Sequence, residues 1–258
     1  MKQIISAPSL LLAVLRIVLI ALLLIVCLPP AVIWRIIGAR RFWPRVFLGG
    51  VAWIAGLRIT VKGAPAHNAL FLPNHVSWLD IPAMALIAGG AFVAHDGLMA
   101  SRVLRFLCDL NDTVFIARHR RAKVSEQAEN IRRALYETGA ISLFIEGTTG
   151  DGHTLLPFKS ALLSAVEPLP DGVAVQPVLL WYGEAGAVVW PNGESGVANF
   201  LRIITRWEPL HLTMQFLAPL GGEALHNRKA MAAAAREELD AAICAMRNEA
   251  IPSAPKMR

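Results

Sequence analysis

Apolar positions are concentrated at the start of the chain. From Ser9 to Leu28 the only charged side chain is Arg16, and the apolar run ends at Pro29-Pro30. Twenty helical residues extend about 30 Å, which matches the hydrocarbon thickness of a bilayer. The pattern therefore predicts a membrane-seated helix that ends at the two prolines, with the Arg16 side chain reaching toward an interface.

A second apolar stretch, from Phe42 to Leu57, is shorter and is interrupted by glycines. It fits a helix that lies in the membrane interface, with Trp43 and Trp53 at headgroup depth. It fits a buried helix of the following domain equally well. We assign residues 1–57 to an N-terminal membrane-seating element that contains both stretches.

Beyond residue 57, short β-like runs alternate with helical patterns. Helices are predicted over Ala122–Thr138, which ends before Gly139, and within Gly222–Ala250. The predicted strands are Leu57–Gly63, Ala69–Asn74, Ala91–His95, Asp112–Ala117, Ala140–Gly147, Val173–Tyr182, Ala187–Trp190 and Leu212–Leu220. Several are apolar throughout, as in a sheet buried on both faces. The sequence predicts an α/β domain over residues 58–250, with a mixed, mostly parallel sheet flanked by helices, and a tail over 251–258.

Composition and charge narrow the class of protein. Of the 258 residues, 55% are hydrophobic and 17% are charged, which excludes a disordered chain and disfavours an ordinary water-soluble domain. The first 79 residues contain eight Lys and Arg residues and no Asp or Glu. Basic residues beside an apolar run suit an anionic membrane surface. Nucleic-acid binding would need them on a polar surface, so we expect a membrane partner and no nucleic acid.

The basic residues that follow the first apolar run also predict an orientation. By the positive-inside rule the long C-terminal part lies in the cytoplasm, on the inner (cytoplasmic) membrane. A cleaved signal peptide is the competing interpretation, but no small-x-small pair closes the run. Three widely spaced cysteines, Cys27, Cys108 and Cys244, form no disulfide or zinc pattern, so we expect no metal.

The segment from Asn74 to Asp80 carries the first candidate chemistry, directly after the apolar run Ala69–Leu72. A carboxylate can accept the Nδ1–H of a histidine and leave Nε2 free to take a proton. Because five helical residues turn about 500°, His75 must precede the helix, with Ser77 as N-cap and Asp80 in its first turn. A capping motif with a hydrogen-bonded histidine is the alternative.

Two further polar segments follow predicted strands. Glu146, Gly147, Thr148 and Thr149 come after the apolar run Ile141–Ile145, where they fit either a pocket floor or an ordinary turn. Arg118 opens a basic cluster after Phe115-Ile116-Ala117. That cluster fits either a fork for an anionic headgroup or a solvated turn.

In combination, these segments resemble the glycerolipid acyltransferase family, typified by bacterial 1-acylglycerol-3-phosphate acyltransferases. The matching segments occur in the family's order over roughly residues 58–220, and several ordered blocks are far more specific than one. The blocks are NHxSxxD at Asn74–Asp80, FIxR at Phe115–Arg118, and FPEGTR at Phe144–Thr149 with Ile145 for Pro and Thr149 for Arg. Phe158-Lys159 and a V-P-V-like Gln176-Pro177-Val178 follow in order.

The resemblance implies a membrane-associated O-acyltransferase of membrane lipid biosynthesis. His75 would be the general base that activates a lysolipid hydroxyl, and Asp80 would orient it. The hydroxyl would attack an acyl thioester of acyl carrier protein or coenzyme A, with no other cofactor. Arg118 and the Glu146–Thr149 segment, with Gly147 and Thr148, would position the acceptor. The alternative is a non-catalytic lipid-binding protein on the same fold. In a catalyst, His75 and Asp80 should lie within hydrogen-bond reach of each other beside an open apolar groove.

Thr149 is the main departure from the family pattern, which has an arginine there that is associated with the glycerol phosphate. A neutral side chain removes a charge-assisted phosphate contact. The Glu-Gly-Thr-Thr-Gly-Asp-Gly variant looks like the lyso-ornithine lipid acyltransferase branch, whose acceptor carries no phosphate. We therefore expect lyso-ornithine lipid, 1-acylglycerol-3-phosphate or both as acceptors, with Asp151 receiving a cationic headgroup.

Overall fold

A seven-stranded sheet forms the centre of the part of the chain that the structure, a computed structural model, describes: residues 6–36, 42–95, 113–116, 124–191 and 193–250. The strands are β1 (Leu57–Lys62), β2 (Ala69–Pro73), β3 (Ala91–His95), β4 (Val114–Ile116), β5 (Ala140–Leu143), β6 (Ala174–Tyr182) and β7 (Leu210–Phe216). Their order in the sheet is β1-β7-β6-β2-β5-β3-β4. Every neighbouring pair is parallel except β6 and β7. The predicted mixed, mostly parallel α/β fold is confirmed.

Helices cover both faces of the sheet. They are α1 (Ala7–Ile36), α2 (Phe42–Ile54), α3 (Asp80–Ile87), α4 (Val124–Thr138), α5 (Ala185–Val188), α6 (Gly196–Ile204) and α7 (Arg228–Ala250), with 3₁₀ turns at Ser160–Val166 and Gly222–Leu225. Residues of α1, α2, α3 and α6 pack on one face, and α4 and α7 pack on the other. Because both faces are covered, every residue of β2 is buried, which explains its continuous apolar run.

The first helix is longer than the sequence predicts. α1 continues through Pro29 and Pro30 to Ile36, so the predicted end at the prolines is wrong. A proline removes one backbone donor, but in an apolar segment only a helix keeps the other backbone groups paired. Within the described residues, one helix, over Ala7–Trp34, is long and apolar enough to cross a membrane.

The Arg16 side chain binds the α/β domain. Its Nη1 donates hydrogen bonds to the carbonyl oxygens of Ile204, at 3.0 Å, and Arg206, at 2.7 Å. These carbonyls lie at the C-terminal end of α6, where a helix leaves acceptors unpaired and carries partial negative charge. Arg16 therefore fastens α1 to the α/β domain.

The second apolar stretch forms α2, which packs between α1 and α3. Gly50 faces Leu23 and Gly49 faces Leu86 so closely that a Cβ at either glycine would lie within 2.6 Å of the leucine. α2 also exposes two thirds of the Trp53 side chain. One stretch thus supplies both close packing contacts and an exposed aromatic side chain.

One predicted strand is wrong. Ala187–Trp190 forms the end of α5 and the segment after it, while the other seven predicted strands overlap β1 to β7. β6, the strand that precedes this segment in the chain, is already paired on both sides, with β2 and with β7, so the segment cannot pair with it. It turns instead onto the loop after β2, where the Trp190 N–H donates to the Val76 carbonyl at 3.4 Å.

Candidate active site

The loops after β2 and β5 meet at one edge of the sheet because these two strands are parallel neighbours. The side chain of Asn74 fixes the start of the first loop. Its Oδ1 accepts from the Leu180 N–H at 2.7 Å, and its Nδ2 donates to the Leu180 carbonyl at 3.1 Å. The amide thereby continues the pairing between β2 and β6 after the backbone leaves the sheet, and it delivers His75 to the edge.

His75 and Asp80 form a hydrogen-bonded pair. His75 Nδ1 lies 2.8 Å from Asp80 Oδ2, and the imidazole stacks on the Phe144 ring at a centroid distance of 4.2 Å. The Asp80 side chain is fully buried, whereas that of His75 is 17% exposed. With Nδ1–H given to the carboxylate, Nε2 is left as the proton acceptor. The two side chains therefore lie within hydrogen-bond reach of each other, as a general base and its partner require.

Asp80, rather than Ser77, closes the turn before α3. The helix begins at Asp80, so the predicted first-turn position is confirmed, but its N-cap position is Leu79 and not Ser77. Asp80 Oδ2 accepts the backbone N–H groups of Val76, at 2.7 Å, and Ser77, at 2.9 Å. A carboxylate accepts several donors at once, which a serine hydroxyl cannot match, and so Asp80 holds both the loop and the imidazole.

Glu146 joins the second loop to the first. Its Oε1 accepts the His75 N–H at 3.2 Å, its Oε2 accepts the Leu156 N–H at 3.3 Å, and the residue is 2% exposed. Burial, together with the negative charge of Asp80, raises the pKa of Glu146 to about 7, although the two backbone donors and Arg236 favour the charged form. The carboxyl group thus stabilises the backbone of the loop that carries His75. Its predicted contact with the acceptor stays a prediction.

The raised pKa of Glu146 predicts a pH-dependent stability. The ordinary value is 4.5 and the folded value is about 7, so the folded state binds more protons than the unfolded state between these pH values. The free energy of unfolding should therefore fall as pH rises from 4.5 to 7, by at most about 3 kcal/mol from this group. Thermal unfolding of the detergent-solubilised protein from pH 5 to 8.5 measures the slope.

Glu146→Gln removes the titrating group, and it should flatten that slope. The matched control is Glu129→Gln on α4, where the carboxyl group is 74% exposed, and it should leave the slope unchanged. Parallel pH profiles for the wild-type protein and Glu146→Gln would contradict the prediction.

Gly147, Thr148 and Thr149 continue the loop after Glu146. Gly147 has φ of 68°, and a Cβ there would lie 3.2 Å from Lys159 Nζ, so glycine suits both the backbone and the space. The Thr148 side chain is exposed. Thr149 Oγ1 donates to the Trp190 carbonyl at 2.9 Å, which ties this loop to the segment after α5.

Asp151 lies in the same loop, between two glycines that contact the His75 loop. The Gly150 N–H donates to the His75 carbonyl at 2.7 Å, and Gly152 packs on Val76. Burial acts to raise the pKa of Asp151, but hydrogen bonds from Thr154 and His153 outweigh it and hold that pKa below the ordinary value. An exposed carboxylate is therefore fixed near the loop that carries His75.

Arg118 falls outside the described residues, so its predicted contact with an anionic headgroup stays a prediction.

Two contacts of the site could not be found from the motifs. From β6, Tyr182 Oη donates to Asp80 Oδ1 at 2.7 Å. From α7, Arg236 donates to the carbonyl oxygens of Leu155 and Leu156, beside the N–H that Glu146 accepts. Within the described ranges, no three His, Cys, Asp or Glu side chains are grouped to hold a metal ion.

Comparison with known proteins shows which family this chain resembles. The acyltransferase family matches residues 58–181, which include the loops of His75 and Glu146. A lyso-ornithine lipid O-acyltransferase of Brucella abortus is 32% identical over 212 residues, covering 76% of this chain and 79% of that protein. A 1-acyl-sn-glycerol-3-phosphate acyltransferase of Neisseria gonorrhoeae is 38% identical over 132 residues, about half of each chain.

Among solved structures, the fold matches that of the 1-acyl-sn-glycerophosphate acyltransferase PlsC from Thermotoga maritima. The TM-score is 0.68 at 21% identity, over 93% of this chain and 96% of that one. At 21% identity, the structural match shows a shared fold only. The family is shown by the sequence similarity to the Brucella protein, which extends over most of that protein. The chain is therefore a member of the acyltransferase family.

Proposed function

We propose that this protein transfers a fatty acyl group from an acyl thioester to the hydroxyl of a lysolipid, with His75 as general base and Asp80 as its partner. The observation that carries the proposal is the 2.8 Å contact between His75 Nδ1 and Asp80 Oδ2, which commits one ring nitrogen and leaves the other available. The lysolipid acyltransferases among its relatives support the same reaction.

In this reaction, His75 Nε2 takes the hydroxyl proton as the hydroxyl oxygen attacks the thioester carbonyl carbon. The resulting imidazolium is paired with the buried Asp80 carboxylate. When the C–S bond breaks, the thiolate leaves with the proton that His75 has held, and the ester product remains. The imidazole returns to its starting state, so no covalent acyl-enzyme and no additional cofactor are needed.

The acceptor that the residues favour is lyso-ornithine lipid. Thr149 is neutral and its hydroxyl is bound to the Trp190 carbonyl, so this position offers no charge to a phosphate. Asp151 supplies a fixed carboxylate on the same loop, which suits a cationic headgroup. Four relatives, including the Brucella protein, are named as lyso-ornithine lipid O-acyltransferases. The 1-acylglycerol-3-phosphate acceptor remains the second candidate because of the Neisseria relative.

An acceptor panel tests the proposal. Purified protein in mixed micelles is given lyso-ornithine lipid or lysophosphatidate, each with an acyl carrier protein thioester and with a coenzyme A thioester. We expect faster acylation of lyso-ornithine lipid. Thr149→Arg should shift the ratio toward lysophosphatidate by about tenfold, because it adds a guanidinium that can bind phosphate.

Thr149→Gln is the matched control, since it also loses the hydroxyl contact with Trp190 but adds no charge. Its acceptor ratio should stay near that of the wild-type protein. Efficient use of lysophosphatidate alone by the wild-type protein would reject the aminolipid proposal. No transfer from either thioester to either acceptor would reject the acyl-transfer reaction itself.

The N-terminal element is consistent with membrane association, and we propose that the α/β domain lies on the cytoplasmic side of the inner membrane. α1 exposes leucine, isoleucine and valine side chains along its length. Trp53 and Trp207, two thirds and three fifths exposed, flank the Arg16 contact, and Arg58 lies over the Trp53 ring. Exposed tryptophans beside basic residues are typical of a membrane–water interface.

The exposed Cys244 on α7 provides a probe of this orientation. In a variant with Cys27→Ala and Cys108→Ala, a membrane-impermeant maleimide should label Cys244 in inside-out vesicles and not in intact spheroplasts. A permeant maleimide controls for reactivity and should label both preparations. Labelling of spheroplasts by the impermeant reagent would place the domain on the opposite side.

A further inference from the structure

Asp80 is a buried carboxylate whose two oxygens have different partners. Oδ2 accepts from His75 and from the backbone of Val76 and Ser77. For Oδ1 the structure gives one donor, the phenol of Tyr182, at 2.7 Å. A buried carboxylate needs a partner on each oxygen, so the phenol completes its hydrogen bonding.

Tyr182 is held rigidly in the sheet. It is the last residue of β6, it pairs with Leu212 of β7, and it is 1% exposed within the core. Burial, and then the Asp80 charge and the hydrogen bond to it, raise the pKa of Tyr182 well above its ordinary value. The phenol is therefore a permanent donor whose position is set by the sheet.

We propose that Tyr182 is a positioning residue for acyl transfer: its phenol holds the Asp80 carboxylate in place and limits how tightly that carboxylate binds the protonated His75. This inference rests on the proposed function. A donor on Oδ1 withdraws charge from the carboxylate, so the imidazolium is bound less strongly and can release its proton to the leaving thiolate. Among the described residues, Glu146 is a further titratable group, besides His75 and Tyr182, that interacts with the charge of Asp80. Glu146 in turn interacts with the charge of Arg236.

Tyr182→Phe removes the hydroxyl and keeps the buried ring. We expect kcat to fall about tenfold, because the carboxylate loses a fixed partner, and KM to stay unchanged, because Tyr182 does not face the acceptor. The acid limb of the pH–rate profile should move to higher pH by about half a unit. Without the phenol, the Asp80 carboxylate carries more negative charge, so it stabilises the protonated form of His75 more strongly. A purely structural role would lower activity without moving that limb.

The matched control is Tyr136→Phe, at the other tyrosine of the chain, which is 91% exposed on α4. It should change neither rate nor profile. An Asp80→Asn background provides the coupling test: Tyr182→Phe should then lower kcat less than twofold further. An unmoved acid limb, a raised KM in place of a lowered kcat, or a tenfold loss in both backgrounds would overturn the proposal.

A second measurement does not depend on how well Tyr182→Phe folds. In the Tyr136→Phe variant, difluorotyrosine incorporated in place of tyrosine labels position 182 alone. Its phenol is a stronger donor, so the acid limb should move to lower pH, opposite to the shift in Tyr182→Phe. An unshifted limb would reject the proposal. The proposed function is tested independently of Tyr182: it is rejected if the wild-type protein transfers no acyl group in the acceptor panel.

Discussion

His75→Ala is expected to lower acyl transfer by about 10² to 10⁴-fold, the usual contribution of a positioned general base. Without the imidazole, the lysolipid hydroxyl must lose its proton to water during the attack on the thioester. The measurement is single-turnover acylation of the preferred acceptor, because it isolates the chemical step from product release. KM for the thioester should change little, since binding of the acyl chain does not depend on this ring.

The fold and the membrane attachment of His75→Ala should persist. The side chain is partly exposed, and the loop is held through backbone contacts with Glu146 and Gly150 that the substitution retains. His226→Ala is the matched control, because that histidine is exposed and its ion pair is with Glu223 at the surface. Turnover retained by His75→Ala, with fractionation unchanged, would mean that another group is the base.

Asp80→Asn should lower kcat by about 10² to 10³-fold, because it removes the negative charge of the side chain while the loop keeps an acceptor in place. The two backbone donors of Val76 and Ser77 require an acceptor at the Oδ2 position, so the asparagine oxygen must occupy it. His75 Nδ1–H then still finds an acceptor, and the imidazole keeps its tautomer. What is lost is the negative charge that stabilises the imidazolium.

Asp80→Ala separates orientation from charge. It removes the acceptor for the two backbone N–H groups as well, so both kcat and the thermal midpoint should fall, whereas Asp80→Asn should retain most of its stability. Asp171→Asn, in a surface turn, controls for loss of an acidic residue. Equal activity of Asp80→Asn and the wild-type protein would exclude a catalytic role for the charge.

The central strands β2, β5 and β6 could be predicted from the sequence because they are short, mostly apolar runs that are almost wholly buried. β7 could be predicted because its buried and more exposed residues alternate. The end of α1 could not, because Pro29 and Pro30 break a helix in water but not in an apolar segment, where the backbone has no other partner. Ala187–Trp190 has the composition of a strand, yet β7 already pairs with β6. The composition of a segment does not show whether the strand beside which it would pair already has partners on both sides.

The same limit applies to the site. His75, Asp80 and Glu146 could be selected because each lies in a motif at the end of a strand. Tyr182 could not, since it is 102 residues from Asp80 and reaches it through the order of strands in the sheet. Glu146 shows a further limit: the motif identifies the residue, but only the contacts show that its carboxyl group holds the His75 backbone.

The attachment of α1 through Arg16 has a consequence for how lipids are selected. If a flexible linker joined the α/β domain to α1, the domain would move relative to the bilayer, and the distance of His75 from the membrane would vary. With α1 fastened by these two hydrogen bonds, we expect the His75 imidazole to keep a nearly constant height above a membrane that holds α1. A lysolipid would then have to bring its hydroxyl group to that height. The distance between the hydroxyl group and the acyl chain would thus select among lipids, independently of headgroup charge.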